Sequence, residues 1–440
     1  MRSGAAIASA LVAAILEVAH QQGSTYTTIQ SAIDAAVPGT DEVFVRCGRY
    51  PENIVMRSGV PVRGEKAACT IIDGRSLGPV VTMTDVVDTK LSEFTIENGL
   101  DQLGGGIRIT RGSPVIDRNL IRGNSQPAAT PIYYGAAGIG VALTTPPAAP
   151  VITRNVISDN TGVTTGGVRA QGMGRVEANV IARNTGSFGA LYVAYFSGNA
   201  QNNTISRNTA GITMYWSPSA KISSNVVVRN SYGVIAWSPQ ASELKSNDVY
   251  GNTVQNYYLM PDQTGINGNV SFDPLFVSEE TRNFLGFEPS SLSSLTELAS
   301  PASSVELSGL VSPSDGRSTG FPRRDIGAKE NEGVTRLRVG QFRDSWTWDW
   351  GLQSPSDWNL YRGDLKVLRA TGVYMQDPAV VPGAEHFYCD FSPPISDSET
   401  PPPGETWFYL AVEYGAVRGP LGYDSTRNPR PYGPIHCHYP

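Results

Sequence analysis

Asn119-Leu-Ile-Arg-Gly-Asn124, Asn155-Val-Ile-Ser-Asp-Asn160 and Asn179-Val-Ile-Ala-Arg-Asn184 are three copies of one pattern. It continues as Asn203-Thr-Ile-Ser-Arg-Asn208, Asn225-Val-Val-Val-Arg-Asn230 and Asn247-Asp-Val-Tyr-Gly-Asn252, with Asn269-Val-Ser-Phe-Asp as a degenerate last copy. The leading asparagines are spaced 36, 24, 24, 22, 22 and 22 residues apart. Apolar residues keep the same step. Ile116, Ile152, Val176, Ala200, Ile222, Leu244 and Ile266 stand three before each leading Asn. Ile121, Ile157, Ile181, Ile205, Val227 and Val249 stand two after it. Short β-branched segments at this period exclude a helical solenoid, which needs longer runs with 3.6-residue periodicity. They predict coils of short strands, each coil stacked on the last by parallel pairing at about 4.8 Å. The leading Asn is expected to occupy a left-handed corner, which it tolerates better than other non-glycine residues. Stacked amides would then hydrogen-bond from coil to coil.

Working backward, Glu93-Phe-Thr-Ile-Glu-Asn98 reads as a weaker coil, and Cys69 and Cys47 fall at the same step again. About ten coils thus run from near Val43 to Val270. Ile29, Ile33 and Val37 share one helical face in Thr28–Val37, so a short helix is expected to close the open N-terminal end. The 22-residue step would place Cys47 and Cys69 on stacked positions. Cys389 and Cys437 form a second within-domain pair, and two such pairs fit an oxidising compartment, with free buried thiols as the alternative.

Thr28-Ile-Gln-Ser-Ala-Ile-Asp-Ala-Ala, Pro38-Gly, Val43-Phe-Val, Gly48-Arg-Tyr-Pro-Glu-Asn53 and Gly104-Gly-Gly-Ile resemble the right-handed parallel β-helix proteins of the pectate-lyase-like superfamily. Phe272-Asp-Pro-Leu-Phe276, Ser300-Pro-Ala and Asp325-Ile-Gly-Ala-Lys-Glu330 are similar to the closing segment of its secreted bacterial members, although Ser303-Ser304 stands where Ile-Asp is common. The resemblance spans residues 25 to 333. It implies a right-handed β-helix and leaves the reaction open, because the fold hosts lyases, hydrolases, epimerases and non-catalytic adhesins.

Three regions follow. Residues 1–22 carry Arg2 and a charge-free apolar stretch from Ser3 to Leu16, the pattern of a signal peptide, or of an amphipathic start helix. Residues 23–333 form the all-β solenoid. Residues 334–440 lose the repeat and carry short aromatic strands such as Ser345-Trp-Thr-Trp-Asp-Trp350, expected to form a small β-sandwich. Trp346, Tyr361 and Tyr409 with Gly419-Pro-Leu-Gly422 resemble a fibronectin type III module stapled by Cys389 and Cys437. Arg362-Gly-Asp364 reads as a strand-end turn rather than an adhesion tripeptide.

The composition narrows the function. A net charge of −6 argues against nucleic acid as a partner. No apolar run is long enough to span a bilayer in the mature chain. With 4 His and 4 Cys and no C-x-x-C or H-E-x-x-H, no metal or other cofactor is expected, and no acidic cluster suits calcium. Alternation along Gly106-Ile-Arg-Ile, Gly167-Val-Arg-Ala, Gly189-Ala-Leu-Tyr-Val and their equivalents points Arg108, Arg169, Tyr192, Tyr215, Trp237 and Tyr258 outward. Aromatic faces stack on sugar rings and Arg pairs with uronate carboxylates, so Tyr192, Tyr215, Trp237 and Tyr258 are substrate-binding candidates. Surplus residues in Ser125–Ala137 and Thr144–Pro150 would wall this face, with Tyr133 and Tyr134 at hand. The alternative is that these rings pack beneath the loops. Arg108 and Arg169 could neutralise a uronate carboxylate and Tyr134 could transfer a proton, making these three the catalytic candidates for a lyase. The strands offer no carboxylate pair for a glycosidase. The expectation is a monomeric, secreted or envelope-displayed protein that binds polysaccharide or cell-surface glycan, with lyase activity on acidic polymers as its enzymatic form. The rival is a non-catalytic surface or adhesion protein whose helix is a rigid rod.

Overall fold

The computed structural model describes residues 14–20, 24–131, 134–142, 148–238, 243–276, 281 and 287, and elements of the C-terminal region between 338 and 413. Three parallel sheets share the coils. Sheet 1 has ten strands, from Ile15–Val18 to Glu243–Lys245. Sheet 2 has nine, from Gly48–Tyr50 to Asp248–Tyr250, and sheet 3 has nine, from Ile54–Val55 to Gln255–Tyr258. Each strand pairs with its counterpart one coil away, as Ile116 does with Leu91 and Ile152. The expected inward columns are buried in one continuous core, from Ile116 to Leu244 and from Ile121 to Val249. Ile266, in the degenerate last copy, is exposed.

The amide ladder is present, but the corner is not where the sequence put it. Left-handed backbone falls on the residue before each leading Asn: Arg118, Arg154, Ala178, Asn202, Ser224 and Ser246, with φ between 53° and 56°. Arg118, Arg154 and Ser246 are partly exposed there and Ala178, Asn202 and Ser224 are buried, while the Asn that follows each is buried along the stack. Asn155 Oδ1 accepts from Asn119 N and Nδ2 at 3.0 and 3.1 Å, while its Nδ2 donates to Asn179 Oδ1 and Ile116 O, both at 3.0 Å. Every polar atom of the buried amide is thereby engaged, which a buried network requires. A second ladder runs through Asn124, Asn160, Asn184, Asn208, Asn230 and Asn252. The weak coil is shifted by one residue from its expected register. Phe94 N donates to Asn119 Oδ1 and Gly99 N to Asn124 Oδ1, so Phe94 and Gly99, not Glu93 and Asn98, cap the two ladders.

At the N-terminal edge, α1 (Ile29–Ala35) starts at Thr28 and buries Ile29, Ala32 and Ile33 in the core, whereas Val37 is exposed. Glu52 accepts from Ile29 N and Gln30 N at 2.9 and 3.0 Å. Ile15–Val18 pairs with Glu42–Val45, and Val18 is buried. Ile15–Val18, at the end of the segment read as a leader, thus supplies the first rung of sheet 1, and residues 1–13 lie outside the described residues. A disulfide joins Cys47 to Cys69 on adjacent coils.

The chain divides into two compact units, Met1–Gly333 and Val334–Pro440. In the second, Trp358–Asp364 lies between Phe387–Phe391 and Trp407–Glu413 in an antiparallel sheet, and Ser345–Asp349 lies between Arg338–Phe342 and Ile395–Asp397 in another. A second helix, α2 (Leu365–Thr371), was not anticipated. Arg362 and Asp364 are buried, and Asp364 Oδ1 accepts from Lys366 N and Val367 N. The tripeptide is thus a strand end that caps α2. Cys437, the proposed Cys389 staple and Gly419–Gly422 lie outside the described residues, as do the matched segments at Ser300 and Asp325.

Candidate functional site: the outer face of sheet 3

Strands of sheet 3 alternate as expected. Ile107 and Ile109 are core, and Arg108 points out between them. The register sets Arg108 beside Gly140, Gly140 beside Arg169, Arg169 beside Tyr192, Tyr192 beside Thr213, Thr213 beside Ile235 and Ile235 beside Tyr258. Ala194 pairs with Tyr215 in the neighbouring column. All the sequence-chosen strand residues therefore share one face, but they do not share one environment.

Arg108 and Arg169 are not brought together. A Cβ on Gly140 would lie 1.5 Å from Leu103 O, so the backbone of Leu103–Gly104 rests on the strand between the two arginines. Arg108 is committed to Asp101 at 3.4 Å, and Asp101 also accepts from Leu103 N and Gly104 N at 2.9 and 3.0 Å. Arg169 is different: it is only 8% exposed. Its Nη1 donates to Gln171 Oε1 at 2.8 Å and to Val141 O at 3.2 Å. Its Nε and Gln171 Nε2 are both buried without an acceptor. Orphaned buried donors cost about 1–3 kcal/mol each, more when charged. No carboxylate faces the guanidinium among the described residues. Burial lowers its pKa, opposed by the nearby hydroxyls of Tyr192, Tyr134 and Tyr195.

The aromatic residues divide into two groups. Tyr192 points outward yet is 1% exposed, because Phe188 stacks on it at 4.6 Å and Tyr215 packs against the pair. It is a satellite-core ring and presents no open face, contrary to its expected role as a binding platform. Tyr134, Trp237 and Tyr258 are exposed, and Tyr215 is half-buried. Trp237 meets Phe188 edge-on at 6.2 Å, and Tyr258 leans on Tyr232 at 5.0 Å. Sequence reasoning missed Tyr195 and Trp216, both exposed. Strict alternation assigns them inward, but left-handed backbone (φ 51° and 46°) turns them out at the strand ends. Tyr195 sits in a bulge between the pairs Ala170–Val193 and Gly172–Phe196. Burial and a hydrogen bond to Tyr215 push its hydroxyl pKa up.

The described part of the inserted segment is tied to the coils on both sides of it. Gln126 Nε2 donates to Gln102 O and Tyr134 O at 2.6 and 2.8 Å, and Thr164 Oγ1 donates to Tyr134 O at 2.8 Å. Tyr133 and Leu143–Pro147 lie outside the described residues. The turn carboxylates that hydrolysis would need are engaged elsewhere, Asp159 with Arg183 at 2.9 Å and Asp262 with Thr264 N at 2.8 Å. No group of three His, Cys, Asp or Glu suited to a metal occurs among the described residues.

Comparison with known proteins agrees with the coil architecture. Residues 79–254 match the family model described as right handed beta helix region. Over those residues the parallel three-sheet coils agree with that description. No match is found among curated proteins. Similar solved structures include pectin methylesterase from carrot, at 12% identity and a TM-score of 0.34, covering 58% of this chain and 85% of that one. The rice weevil pectin methyl esterase is similar at 13% identity and a TM-score of 0.32, covering 61% and 90%. The complex of XylC with xylose is similar at 10% identity and a TM-score of 0.41, covering 90% and 100%. At these levels they bear on neither substrate nor reaction. No helix among the described residues is long and apolar enough to cross a membrane.

Proposed function

We propose that the outer face of sheet 3 binds an extended polysaccharide. The observation that carries this reading is the run of exposed or half-buried rings on successive coils: Tyr195, then Tyr215 and Trp216, then Trp237, then Tyr258. Coils repeat at about 4.8 Å, so the rings, spread over adjacent columns, offer stacking faces on successive coils along the axis. The Cys47–Cys69 bond supports a secreted or envelope location. Binding without cleavage fits the site better than lyase chemistry. Arg108 is paired, Tyr195 is made a weaker acid, and the turn carboxylates are engaged. The test is affinity electrophoresis against a set of neutral and acidic polysaccharides, with ultraviolet absorbance of unsaturated uronates followed in parallel. Retardation that is lost in Trp216→Ala and Trp237→Ala, with no unsaturated product, is expected. A rise in absorbance restores the lyase; binding indifferent to both substitutions removes the groove and leaves the rod.

A further inference from the structure

The outward column of sheet 3 reads Thr82, Arg108, Gly140, Arg169, Tyr192, Thr213, Ile235 and Tyr258, each in register with the next. Only two of these are charged. Arg108 is neutralised by Asp101 and separated from the rest by Leu103 resting over Gly140. That leaves one cation on the face with no carboxylate opposite it among the described residues. Beside it, Gln171 turns its Oε1 to Arg169 Nη1 at 2.8 Å, which fixes both side chains and leaves Arg169 Nε and Gln171 Nε2 as neighbouring orphan donors. A carboxylate has two acceptor oxygens and is the group that two such donors, one of them cationic, satisfy best. Tyr134 and Tyr195, both near half-exposed, lie close enough to Arg169 to act on its charge.

From the remainder of the face comes the distinction. A polyuronate lays down a negative charge at every sugar, and a groove that reads it needs cations or metal at repeated rungs. Past Arg169 the rungs carry Tyr192, Thr213 and Tyr215, Ile235 and Trp237, and Tyr258, which are neutral. Resting on the polysaccharide reading above, we infer that the ligand is a mostly neutral glycan bearing isolated carboxylates, one of which is received by Arg169 and Gln171, and not a polyuronate.

The experiment compares glucuronoxylan, the same polymer after carboxyl reduction, and polygalacturonate, titrated onto the full chain. Carboxyl reduction is expected to weaken binding by about tenfold, the worth of one buried charge-assisted pair. Polygalacturonate should bind more weakly than glucuronoxylan. The ligand-side comparison needs no variant; Arg169→Gln and Gln171→Leu should each shrink the difference between native and reduced polymer. Equal affinity for native and reduced polymer, or tighter binding of polygalacturonate, overturns the inference and leaves polysaccharide binding standing. Binding of none of the three polymers overturns both.

Discussion

At the scale of single residues, the fold depends on amides that are buried and fully engaged. Asn179 accepts from Asn155 N and Nδ2, and donates to Asn203 Oδ1, Ile152 O and Glu177 O. Asn179→Ala would strand donors and acceptors on three coils at once. A loss of about 3 kcal/mol is expected, read as a lowered urea midpoint; an unchanged midpoint would show the ladder to be ornamental. The two classes of ring make opposite predictions. Tyr192→Ala removes a buried ring beneath Phe188 and should cost about 3 kcal/mol of stability. Trp237→Ala, at an exposed position, should cost under about 1 kcal/mol while weakening polysaccharide retention about tenfold. Thermal melts set beside binding isotherms separate the two. The asparagine repeat was legible because each copy answers the same stacking demand. The conformation behind it was not, since the left-handed residue is Arg, Ala, Asn or Ser by turns and shares no side-chain chemistry.

At the scale of elements, alternation found every inward column of sheet 3 because a one-residue slip would expose a whole row of Ile and Val. It failed at the strand ends, where Tyr195 and Trp216 leave the pleat. It also failed to separate Arg108 from Arg169, because the turn that divides them is brought there by the coil and not by the strand. The first coils have less of the ladder to hold them, since the asparagine contacts stop at Phe94 and Gly99. In their place Cys47 and Cys69 close a loop with a sequence separation of 22. Chain-entropy reasoning assigns such a closure about 3 kcal/mol. Reduction, or Cys47→Ser with Cys69→Ser, should therefore loosen the N-terminal coils first. Hydrogen exchange should rise in Glu42–Tyr50 and α1 well before Val176–Val228; uniform loosening along the stack would contradict this.

At the scale of the whole solenoid, the sheet 2 surface carries an apolar stripe that the repeat alone leaves uncovered: Leu120, Val156, Val180 and Val226 point outward and are buried all the same. The described residues after the last coil lie against this surface. Phe276 packs on Val226 and Val228, and Phe287, 5.2 Å from Phe276, joins the cluster of Ala67, Leu120, Val156 and Val180. Arg229 holds Asp273 at 3.1 Å, and Arg183 holds Thr281. Where this strap leaves the coil, Asp248 Oδ1 accepts from Phe272 N at 2.8 Å, while its Oδ2 is buried without a partner. Burial raises the Asp248 pKa to about 8; the Phe272 amide opposes the rise and Asp273 adds to it. Across the coil the Tyr257 hydroxyl is buried too, its pKa pushed up by burial and by Asp262 and Asp248. With the strap closed Asp248 is protonated up to that range; once the strap opens it ionises as an ordinary carboxylate. Closure is therefore fully supported below about pH 4, weakens by up to about tenfold per pH unit from there to about pH 8, and changes no further above it. The readout is exchange at the amides of Ser271–Phe276, corrected for intrinsic rates across that window. Asp248→Asn keeps the acceptor for Phe272 and stays neutral, so its corrected opening should be flat with pH where the native chain slopes. A native profile as flat as the variant's would mean that Asp248 does not govern the strap.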